Sequence, residues 1–70
     1  MFTAIIQREN EAYSALCPEL DIASQGESIE DARANLAEAI ELFLESASPD
    51  EISQRLQGEV YVTQVGVQFA

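Results

Sequence analysis

The apolar positions of this chain change their spacing twice. From residue 2 to residue 25 they recur at alternate positions or in short runs, from 29 to 47 at every third or fourth position, and from 60 to 69 at alternate positions again. A period of two is that of a strand, and a period of three to four is that of a helix with one apolar face. Residues 2–8 place Phe2, Ala4 and Ile6 on one face and Thr3, Ile5 and Gln7 on the other. Apolar side chains on both faces predict a strand in the middle of its sheet. Glu9-Asn10-Glu11 is a polar break of hairpin length. A second strand over 12–17 follows, with Tyr13, Ala15 and Cys17 on one face and Ser14 and Leu16 on the other. Pro18 has no amide hydrogen, so the ladder ends or bulges there. Residues 21–25 predict a short third strand, and Gly26 is expected at a turn that needs positive φ. Sequential hairpins make these strands antiparallel.

The stretch from 28 to 47 is the organising element. Ser28-Ile29-Glu30-Asp31 has the form of a capping box. Ile29, Ala32, Leu36, Ile40, Phe43 and Ala47 fall on one stripe at about 100° per residue, and Asp31, Glu38, Glu41 and Glu45 fall opposite. No Gly or Pro interrupts this helix before Ser48-Pro49, where a second cap begins a short helix with Ile52 and Leu56 on one side, ended by Gly58. Residues 59–69 read as a last strand, with Tyr61, Thr63, Val65, Val67 and Phe69 on one face and Val60, Val62, Gln64, Gly66 and Gln68 on the other. The expected fold is α+β: an antiparallel sheet with one main helix packed on one face, in the order β-β-β-α-(short α)-β, as a single domain over 1–70.

Charge narrows the partners. Three basic and thirteen acidic residues give a formal charge of −10. Phosphate contacts need Lys and Arg, so nucleic acid and anionic membrane surfaces are poor partners, and a basic protein is a suitable one. The alternative is that the acidity serves solubility alone. Neither a basic, apolar leader nor an apolar run of spanning length is visible, and the single cysteine cannot form an internal disulfide, which together point to the cytoplasm. A chain of 70 residues has a thin core and needs support, for which oligomerisation is the remaining source.

Enzymatic chemistry finds little to work with. The chain has no histidine and no phosphate-binding glycine loop. Cys17, with no base to activate it, reads as a core thiol rather than a nucleophile. Glu19 and Asp21 flank Leu20 near a strand end but lack any metal-specific spacing, and read as solvated acids at a turn. No catalytic residue, cofactor or metal is expected. The helix is more informative. Glu38–Glu41 and Glu41–Glu45 are like-charge pairs at i+3 and i+4, each costing an isolated helix about 0.2–0.5 kcal/mol. Glu38, Glu41 and Glu45, with Leu42 as an apolar anchor beside them, are therefore the candidate partner-binding residues. The uncharged last strand is an aggregation template unless it is paired, either as a central strand of the chain's own sheet or with a second subunit, and the second reading makes Val60, Val62, Val65 and Val67 the candidate oligomer interface.

The opening Phe2-Thr3-Ala4-Ile5-Ile6, the run Tyr13-Ser14-Ala15-Leu16-Cys17-Pro18-Glu19-Leu20, Ser24-Gln25-Gly26 and the acidic helix from Ser28 to Glu45 resemble the N-terminal domain of HicB-like antitoxins. The resemblance is close over residues 2–45 and looser over the last strand. It implies a partial ribonuclease-H-like fold without that fold's catalytic acids, and dimers or larger oligomers. It also implies an antitoxin that binds a small basic mRNA-cleaving toxin, of the HicA type, and masks its active surface. Many members add a C-terminal DNA-binding part for which this chain has no room, so direct DNA binding is not expected. The alternative is an orphan oligomeric HicB-like scaffold or binding module without a toxin.

Overall fold

The computed structural model describes residues 1–69. Its elements are β1 (Ile5–Glu9), β2 (Ala12–Cys17), β3 (Ile22–Gly26), α1 (Ile29–Ser46) and α2 (Pro49–Leu56). The three strands form one antiparallel sheet in the order β1-β2-β3. Asn10, at φ 57°, lets the two-residue link between β1 and β2 reverse the chain. Asp21, at φ 54°, does the same before β3. β2 stops at Cys17, directly before Pro18, as the missing amide hydrogen requires.

The register sets which side chains meet the helix. Ile6 lies opposite Ala15, and Ala15 opposite Ser24, so these three share the inner face. Ile5, Leu16 and Ala23 share the outer face, which no helix covers, and Leu16 is exposed there. The core consists of Ala15, Cys17, Leu20, Ala32 and Leu36, with Ile6, Tyr13, Ile22, Ile40 and Phe43 packed around it. Ser28 caps α1 by accepting from the Asp31 amide at 3.0 Å. Ser48 caps α2 by accepting from the Glu51 amide at 3.1 Å.

Several expectations change. Ile29, at the first position of α1, is 54% exposed rather than part of the buried stripe. Gly26 has negative φ; its role is close approach. A Cβ there would meet the Ala32 amide nitrogen and come within 2.8 Å of the Asp31 Cβ, so the missing side chain is what lets β3 turn directly against the start of α1. Residues 59–69 form no strand, and β1 is therefore an edge strand rather than a central one. The α+β class is unaffected. The alternation in 59–69 is real, but a strand exists only where a neighbour accepts its backbone hydrogen bonds, and within this chain the segment meets none.

Candidate partner-binding surface

α1 lies mainly over β3, less over β2, and barely over β1. Two surfaces follow from that offset. The side of α1 away from the sheet is free to carry charge. The flank facing β1 is left with an open groove.

The outward side carries the acids. Glu38, Leu42 and Glu45 lie within about 60° of one another around the helix, with Glu41 beside them, and the direction of Leu36 and Phe43 is nearly opposite. All four are exposed, Leu42 at 57%. The structure thus brings together the residues that the sequence nominated. Among the described residues the one ion pair is Arg55–Glu51 on α2, at 3.8 Å, so no arginine neutralises the acidic strip. Exposed carboxylates around a central leucine can attract a basic surface at long range and give it one apolar contact on arrival.

The groove is apolar, with a volume of about 430 Å³. Phe2 and Ala4 form one wall; Leu36, Ile40 and Leu44 form the other, with Arg33 at the rim. Glu41 also borders it, so the acidic strip and the groove are continuous. Glu19 holds the Phe2 wall in place. Its carboxylate accepts from the Thr3 amide at 3.0 and 3.1 Å and from the Thr3 hydroxyl at 2.6 Å. Glu19 is thus a clamp on the N-terminal segment and not a solvated acid at a turn. The partner that captures it lies 16 residues away, beyond any local spacing rule.

The hydrogen bonds from Thr3 hold the Glu19 carboxyl down at about 2, from an ordinary 4.5. The unfolded chain therefore takes up this proton more readily than the folded one. The clamp's stabilisation is complete above about pH 4.5 and is lost as pH falls toward 2. Glu19→Gln is expected to be less stable at neutral pH and to lose less stability across that window, read as urea midpoints at its two ends. Equal losses in the two proteins would assign the acid sensitivity to other groups.

Cys17 is fully buried, and burial pushes its thiol up. It donates weakly to the Glu19 carboxylate at 3.5 Å. Leu20, also fully buried, sits between two acids in a turn, where no local pattern marks it as core. The turn folds under the end of α1, where Arg55 donates to the Leu20 carbonyl at 2.5 Å and stacks 4.8 Å over the Phe43 ring. A polar depression at the other end of the sheet brings Glu9 and Glu11 together with Glu27. No sequence spacing relates these three, since the β-hairpin and the β3–α1 link meet only in the fold. No helix among the described residues is long and apolar enough to cross a membrane. Val60, Val62, Val65 and Val67 are all exposed, apart from both surfaces.

A UPF0150 protein of Helicobacter pylori (strain J99) is 32% identical to this chain over 71 residues, covering all of this chain and 99% of the relative. The chain belongs to the UPF0150 family. Nearly complete coverage on both sides means that the likeness takes in the sheet, both helices and residues 59–69 alike. No family model matches the chain, and no solved structure matches it. This UPF0150 protein combines a two-layer core with two uncovered features that meet at Glu41: an acidic face on the outer side of α1 and an apolar groove on its flank toward β1.

Proposed function

We propose that this UPF0150 protein is a non-enzymatic, cytoplasmic, antitoxin-like protein of the HicB-like kind, which binds a small basic mRNA-cleaving toxin of the HicA type and masks its active surface. The observation that carries this reading is the unpaired acidic strip of Glu38, Glu41 and Glu45 around the exposed Leu42, set opposite the buried face of α1. The formal charge of −10 supports it, because an enzyme that grips RNA must present a basic surface, and such a surface is what an acidic helix face complements. The resemblance of residues 2–45 to HicB-like antitoxins supports it independently of charge.

The test begins with a neighbouring reading frame that encodes a short basic protein. Expression of that protein alone is expected to arrest growth, and co-expression of this chain to restore it. Reversing Glu38, Glu41 and Glu45 to Lys is expected to abolish the restoration while leaving the helical circular dichroism unchanged, since all three side chains are exposed. Full restoration by the reversed protein would remove this surface from the mechanism.

A further inference from the structure

The groove and the C-terminal segment are complementary and do not meet within one chain. Residues 60–69 carry no charge and no proline. Tyr61 and Val65 are 80% exposed and Phe69 is 90% exposed, which is costly for an uncharged β-branched and aromatic stretch. β1 is an edge strand, and residues 2–4 line the groove beside it. Arg55 pins α2 to Leu20 and Phe43, and beyond Gly58 the chain leaves the body. The radius of gyration is 14.2 Å, whereas a compact chain of this length has about 11 Å. The chain's own groove is thus left unfilled by its own tail.

We propose that residues 60–69 of one copy dock as a fourth strand along the free edge of β1 in a second copy, with the Val65 and Val67 face turned into the groove between β1 and α1, and that the second copy returns the same contact. Charge favours this occupant. A chain of net charge −10 repels its own copies, and residues 60–69 belong to the longest stretch of the second copy without a carboxylate. Length favours it as well: ten extended residues span about 33 Å, enough to run beside β1 and the segment before it. The reciprocal exchange closes as a two-fold dimer and leaves neither tail nor β1 edge open to further copies. This inference does not depend on the toxin-binding reading, because the exchanged contact is made by the apolar groove walls and the edge of β1; of the acidic strip only Glu41 borders the groove, and Glu38, Leu42 and Glu45 do not line it.

Sedimentation of the full-length chain at micromolar concentration is expected to give a dimer. Val65→Lys with Val67→Lys is expected to halve the mass while keeping the helical signal, since both positions are exposed in the single chain. A second experiment reports the route of the tail: chains carrying Ala4→Cys are mixed with chains carrying Val65→Cys and oxidised. A covalent pair between the two different chains is expected, and the buried Cys17 stays out of the reaction. A monomeric wild type, a dimer unchanged by the two lysines, or a tail that protects its amides in a monomer by pairing with its own β1 would each overturn the proposal.

Discussion

Leu36→Ala is expected to cost about 2–5 kcal/mol of stability, the usual range for emptying a packed leucine site. Leu36 is 2% exposed and belongs to a buried core of five residues, two of which are alanines. It also forms part of the groove wall, between the sheet and the open flank. Domains hold only about 5–15 kcal/mol in total, and short ones sit at the low end, so the loss would be a large share of the whole. The measurement is urea unfolding followed by circular dichroism. A midpoint close to that of the wild type would mean that the α1–sheet interface is held by something other than this leucine.

Gly26→Ala is the second large effect, and its cause is collision rather than a cavity. The added Cβ would press on the Ala32 amide and on Asp31, atoms of the first turn of α1. Backbone cannot swing aside as a flexible side chain does, so α1 must shift relative to β3. Overpacking of this kind costs about 1–3 kcal/mol, occasionally more. Asparagine distinguishes this cause from a conformational one. Asn tolerates positive φ, so it would rescue a glycine kept for its backbone angle. Gly26 has no such angle, and Gly26→Asn is therefore expected to be at least as harmful as Gly26→Ala. Recovery with Asn would point back to the turn conformation.

The parts of the fold legible in the sequence are those set by local rules. The cap at Ser28, the stop at Ser48-Pro49, the end of β2 before Pro18 and the opposition of Leu36 to Glu38 each depend on residues within one or two turns of each other. The parts that were not legible depend on distant chain segments. Glu19 looked free because Thr3 is far away in sequence. Leu20 looked like a turn residue until α2 brought Arg55 over its carbonyl. β1 looked central because both of its faces carry apolar residues, yet its outer neighbour is missing from the chain's own sheet. The same absence bears on residues 59–69, whose alternation has the period of a strand but which find no neighbour in the chain's own sheet. The acidic strip was legible because helical periodicity alone determines it; whether the groove beside it exists depends on how far α1 is displaced from β1, which no periodicity encodes.

The claim that most needs a direct measurement is that the acidic face of α1 captures a basic protein. The wild-type chain and the variant with Glu38, Glu41 and Glu45 reversed to Lys would each be immobilised and exposed to source-cell lysate at low and moderate salt, with bound proteins identified by mass spectrometry. The expected result is a small basic protein held by the wild type, released in part as salt rises, and absent from the reversed chain, because exposed charge pairs are screened over about 10 Å at such salt. Equal recovery of that protein on both chains, or recovery of nothing beyond further copies of this chain, would contradict the assignment of the helix face to a toxin.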